Sequence, residues 1–91
     1  MSVETRENRL KRLHIRSWRR GIKEMDLVLG HYSDDMLAGM TGEELDLYEA
    51  LLGEMDQDLL SWITGQEPEP EHYSALFARL RDHARARGFA Q

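Results

Sequence analysis

A chain of 91 residues forms one domain with a thin core, which leaves little room for a buried catalytic cavity and favours a binding module. It holds no cysteine, so disulfides, thiolate metal sites and thiol nucleophiles are excluded. The net charge of −5 is unevenly spread: residues 1–24 carry eight Lys or Arg against three Glu, residues 25–78 thirteen Asp or Glu and no Lys or Arg, and residues 79–91 four Arg against one Asp. A basic head and tail can pair with an acidic middle inside the fold or steer a partner of mixed charge.

Leu10, Leu13, His14, Ser17 and Trp18 follow the spacing of one helix face, with Arg9, Lys11, Arg12, Arg16 and Arg19 mostly between them. The spacing predicts a basic amphipathic helix running to about residue 20, with Gly21 as a left-handed C-terminal cap. Met25, Val28, Leu29, Tyr32 and Met36 define a second helix that Gly39 ends. Thr41 and Glu44 have capping-box spacing, flanked by Met40 and Leu45 as a hydrophobic staple. The third helix they start carries Leu45, Tyr48, Leu51, Leu52 and Met55, and runs to Gly53 or a little beyond.

Asp56 is placed to cap a short fourth helix with Leu59, Trp62 and Ile63, which stops near Gly65. Residues 66–71 read as a loop, because Pro68 and Pro70 disfavour helix at the residue before each, and Pro70 suits a first helical turn. Tyr73, Leu76, Phe77, Leu80 and Ala84 define a fifth helix ending at Gly88. Sustained period-2 alternation is absent, so the expectation is an all-α, compact five-helix bundle with short loops, one domain over 1–91, with a flexible tail from about residue 88. No apolar run approaches the roughly 18 residues of a membrane span, and Met1 to Lys11 is polar, which predicts a cytoplasmic protein without membrane insertion.

His14, His31, His72 and His83 fall on separate elements with no i, i+4 pair, which argues against a metal site. The adjacent acids Asp34–Asp35 and the pair Asp56 and Asp58 read as caps and helix-dipole partners. The glycines are dispersed and follow no strand, so the chain is expected to hold no FAD or other dinucleotide by itself. None of Ser17, Ser33, Ser61 and Ser74 lies in a nucleophile elbow, and no sequence signature points to a catalytic residue. The basic first helix could bind phosphate backbones, but net acidity and the lack of base-reading modules weigh against nucleic acid. Trp18, Tyr48 and Trp62 sit on apolar stripes and read as core.

One constellation remains, Arg20-Gly21-Ile22-Lys23-Glu24 at the first helix–helix junction. Its plain reading is a capping glycine beside an Arg20–Glu24 ion pair. Its functional reading is a tight corner that projects an Arg fork and a carboxylate toward a partner.

With these residues the chain resembles the flavoprotein assembly factors of succinate dehydrogenase and fumarate reductase, called SdhE in bacteria, which have mitochondrial relatives. The family's Arg-Gly-x-x-Glu stands here as Arg20, Gly21 and Glu24, and its Asp-x-Asp-Leu-x-x-Trp as Asp56, Asp58, Leu59 and Trp62. Gln57 stands where many relatives carry proline, a change that touches helix initiation.

The resemblance implies a non-enzymatic, five-helix helper that binds the flavoprotein subunit of succinate dehydrogenase, with that of fumarate reductase as a second candidate, and promotes covalent attachment of its FAD. It implies that the FAD is the partner's; the helper is expected to be a monomer when free. The implied partner-binding residues are Arg20, Gly21 and Glu24, with Arg19 and Lys23 beside them. Rival readings are an antitoxin-like interaction protein and a nucleic-acid binder.

Overall fold

Capping and turn chemistry set most of the element boundaries. The computed structural model describes residues 3–88. Helix α1 (Arg6–Trp18) starts where the Thr5 hydroxyl accepts from the Asn8 N–H at 3.1 Å. Helix α2 (Lys23–Met36) runs into a 3₁₀ turn, Leu37–Gly39. The capping box expected at Thr41 and Glu44 forms in both directions, at 3.1 and 2.8 Å, and starts α3 (Gly42–Leu52). Helix α4 (Asp56–Ile63) stops before Gly65, whose φ of +80° is the left-handed turn that glycine adopts without a Cβ clash. A 3₁₀ turn at Glu71–Tyr73 follows Pro70 and leads into α5 (Ser74–Ala86), which Gly88 ends at φ +83°. Among the described residues there is no strand, as expected.

The apolar stripes converge on one core. Leu13 of α1, Met25, Leu29 and Tyr32 of α2, Leu45, Tyr48 and Leu51 of α3, Leu59 of α4, and Leu76, Phe77 and Leu80 of α5 are all buried. Ser17, on the apolar stripe of α1, is fully buried because its hydroxyl donates to the Leu13 carbonyl at 2.8 Å and meets the Tyr48 hydroxyl at 2.7 Å. Tyr48 also reaches the Leu29 carbonyl at 3.2 Å, so one polar cluster ties three helices together inside the core. Burial pushes the Tyr48 phenol well above its ordinary pKa.

The segregated charges meet across helix pairs. Arg9 bridges Asp46 at 2.7 Å and Glu49 at 3.1 Å, and Arg12 holds Glu49 at 2.9 Å and Glu4 at 2.8 Å, which fastens basic α1 to acidic α3. The basic C-terminal segment closes on α2, where Asp35 accepts from His83 at 2.7 Å and Arg87 at 2.9 Å. Arg81 pairs with Glu69 and donates to the Trp62 carbonyl at 3.0 Å, tying the Pro-containing loop and α4 to α5. No helix among the described residues is long and apolar enough to cross a membrane.

Local expectations at three turns need correction. Gly21 is not left-handed, since only Gly65 and Gly88 have positive φ among the described residues. Met55 lies beyond the end of α3 and is 71% exposed, because the chain turns at Gly53 before another helical turn could carry it inward. Asp56 is the first residue of α4 and Met55 occupies the cap position without a side-chain bond. The expected flexible tail lies, beyond Gly88, outside the described residues.

Candidate functional site

Arg20 does not project from the α1–α2 corner; it turns inward. Its side chain is 9% exposed and reaches across to the turn between α3 and α4. Nε donates to Asp56 Oδ1 at 2.8 Å, while the two terminal nitrogens donate to the carbonyls of Leu52 at 2.9 Å and Glu54 at 3.2 Å. Leu52 is the last residue of α3, so the guanidinium satisfies a helix-end carbonyl and sits at the negative end of the helix dipole. The fork geometry of arginine allows one side chain to meet three acceptors at once.

The same Asp56 carboxylate takes the Gly21 N–H on its other oxygen, at 2.5 Å. A Cβ on Gly21 would stand 3.0 Å from that oxygen, a tight contact that a larger residue could make only if the Asp56 carboxylate gave way by a few tenths of an ångström. On the α2 side, Asp26 accepts from the Arg20 N–H at 2.5 Å and holds the corner closed. The expected Arg20–Glu24 ion pair does not form, because the Arg20 guanidinium is committed to the α3–α4 turn.

The corner is also braced along the helices. Trp18 lies against Gly30 of α2 so closely that a Cβ there would run into its indole ring. Its Nε1–H donates to Asp34 at 3.2 Å, and His14 meets the same carboxylate oxygen at 2.5 Å. Partial burial pushes the Asp34 carboxyl up, but the donors on His14 and Trp18 outweigh it and leave the group below its ordinary pKa. Trp18 thus packs on the seam between two helices and is only half-buried, where a core position was expected.

Of the residues expected to meet a partner, Arg19, Gly21, Lys23 and Glu24 are exposed at this corner, and Arg20 lies behind them. The side chains of Arg19, Lys23 and Glu24 make no hydrogen bond or ion pair among the described residues, whereas Arg9, Arg12, Arg20, Arg81 and Arg87 are all bound to carboxylates. Charges left unpaired at an exposed corner are available to a second molecule.

Asp56 and Asp26 are the residues that sequence reasoning missed here. Local spacing gave Asp56 a capping role, and the available signal was the joint presence of Arg-Gly-x-x-Glu and Asp-x-Asp-Leu-x-x-Trp, which the fold brings into one hydrogen-bonded cluster. Among the described residues no three His, Cys, Asp or Glu side chains converge to hold a metal ion.

Residues 11–84, which include both segments, match the model of a protein family described as the flavinator of succinate dehydrogenase. The chain belongs to this family. Members in Candida glabrata, Schizosaccharomyces pombe and Yarrowia lipolytica, each named succinate dehydrogenase assembly factor 2, mitochondrial, are 39%, 37% and 40% identical to it over 87%, 93% and 89% of its length. The aligned regions make up 55%, 63% and 59% of those relatives, so the chain spans little more than half their length.

These relatives are named as mitochondrial proteins, a finding that overturns the cytoplasmic expectation. Cysteine content separates oxidising from reducing spaces and does not distinguish one reducing aqueous compartment from another.

Proposed function

We propose that this protein acts, as a monomer, on the flavoprotein subunit of succinate dehydrogenase and promotes covalent attachment of FAD to it. The flavoprotein of fumarate reductase is the second target of the proposal. Bond formation belongs to the partner, and the FAD stays with the partner. This chain supplies binding energy that favours a reactive arrangement of the partner's domains.

The observation that carries the reading is the family match over residues 11–84, which spans the α1–α2 corner. The exposed and unpaired Arg19, Lys23 and Glu24 support it, together with the Gly21 backbone beside them. In this reading those residues meet the flavoprotein, and Arg20 with Asp56 fixes the shape of the surface that presents them.

The test is in-gel flavin fluorescence of the denatured flavoprotein subunit after incubation with FAD, with and without this protein. Covalent flavin is expected to rise in its presence, and equal fluorescence in both lanes overturns the proposal. Glu24→Ala and Lys23→Ala are expected to lower the yield at limiting helper concentration while helical circular dichroism and Tm stay at wild-type values.

A further inference from the structure

Met55 breaks two local rules at once. It is 71% exposed, and it occupies the N-cap position of α4, where Ser, Thr, Asp or Asn would bond a free helix N–H and Met cannot. Local rules are broken most often where a site needs something other than stability.

The backbone around this side chain is held firmly. The Glu54 N–H donates to the Leu51 carbonyl at 3.0 Å, and the Glu54 carbonyl accepts from Arg20 at 3.2 Å. The Met55 carbonyl accepts from the Leu59 N–H at 3.0 Å, and the Glu54 carboxylate holds the Tyr73 hydroxyl at 2.9 Å. A large apolar side chain is therefore presented on a preorganised turn, which has little backbone freedom left to lose on binding.

Its position ties it to the corner already described. Met55 directly precedes Asp56, whose carboxylate binds Arg20 and the Gly21 N–H, and the unpaired Arg19 and Lys23 flank Gly21 in sequence. An apolar knob beside free cations has the anatomy of a docking face with an apolar centre and a charged rim. Of the other large exposed apolar residues, Val3 precedes α1 and Met36 ends α2, roughly 20 Å along the helix from Lys23, while Ile15 lies on α1 one turn before Arg19 and is less exposed than Met55.

We propose that Met55 is the apolar anchor of this face, inserting into an apolar recess bordered by carboxylates on the flavoprotein subunit. The inference rests on the function proposed above. The unbranched, polarizable thioether suits a recess of irregular shape, and the bordering carboxylates answer Arg19 and Lys23.

The experiment is calorimetric titration of the full chain into the purified flavoprotein subunit carrying non-covalent FAD. Met55→Ser is expected to weaken binding about tenfold or more, from the apolar area no longer buried, while Tm holds or rises because serine can cap α4. Met55→Leu is expected to stay within about threefold of wild type, and Met36→Ser within about twofold. Binding by Met55→Ser within twofold of wild type, or an equal loss in Met36→Ser, overturns the anchor. If Glu24→Ala and Lys23→Ala weaken binding and Met55→Ser does not, the functional reading stands and the anchor falls. No binding by the wild-type chain overturns both.

Discussion

Replacing Arg20 with alanine leaves the Asp56 carboxylate and the carbonyls of Leu52 and Glu54 without their shared donor. Removing one member of a mostly buried charge pair strands the other, so Arg20→Ala is expected to cost on the order of 3 kcal/mol in urea unfolding. Arg20→Lys should recover only part of this, since an ammonium cannot reproduce the fork. Glu24→Ala, by contrast, removes an exposed side chain with no partner among the described residues and should change stability by less than about 0.5 kcal/mol. Loss of flavinylation in Glu24→Ala then reports a contact with the partner, whereas the same loss in Arg20→Ala follows from a damaged corner. An unfolding midpoint for Arg20→Ala equal to wild type would refute this division of roles.

Between elements, the close approach of α1 and α2 depends on Trp18 lying over Gly30. Gly30→Ala drives a methyl into the indole and is expected to destabilise by about 1–3 kcal/mol as the helices part or the ring leaves its rotamer. Trp18→Phe removes ring volume, so the double variant should be less destabilised than the sum of the single changes. Strict additivity in that cycle would show that the two do not collide. The α1–α3 seam is electrostatic, with Glu49 shared by Arg9 and Arg12 and reached by Arg16 at 4.0 Å. These groups are partly exposed, so Glu49→Ala should cost roughly 1 kcal/mol at low salt, and high salt should shrink the difference.

Across the whole molecule, several carboxylates are held below their ordinary pKa. Arg12 and then Arg9 lower Glu49, His83 and then Arg87 lower Asp35, and Asp34 stays low despite its partial burial. A carboxylate with a depressed folded-state pKa contributes stability that is complete above its unfolded value near 4 and is lost as pH falls through the folded value. The urea midpoint is therefore expected to drop as pH is lowered below about 4, and less steeply in Glu49→Gln. Tyr73 sets the opposite limb: burial and its bond to the Glu54 carboxylate push its phenol up to about 12. A raised folded-state pKa contributes stability that is complete below the unfolded value near 10 and is lost as pH rises toward the folded one. Tyr73→Phe should flatten the decline above pH 10, and an unchanged slope would count against this assignment.

The sequence by itself determined the five helices, the capping box at Thr41 and Glu44, the stops at Gly65 and Gly88, and the core stripes from Leu13 to Leu80. Each of these depends on interactions within a few residues, which local spacing encodes. It also carried the family resemblance, in two segments that looked independent. What it could not settle was where Arg20 points, what the Gly21 N–H binds, or what Asp56 does. Those depend on residues more than thirty positions apart, and local spacing carries no record of such distances. Local rules accordingly assigned Gly21 a left-handed cap, Asp56 a helix cap and Met55 a core position. Tertiary structure decided otherwise, because a carboxylate on the α3–α4 turn comes within reach of the α1–α2 corner only once α1, α2, α3 and α4 have packed around Leu13, Leu29, Tyr48 and Leu59.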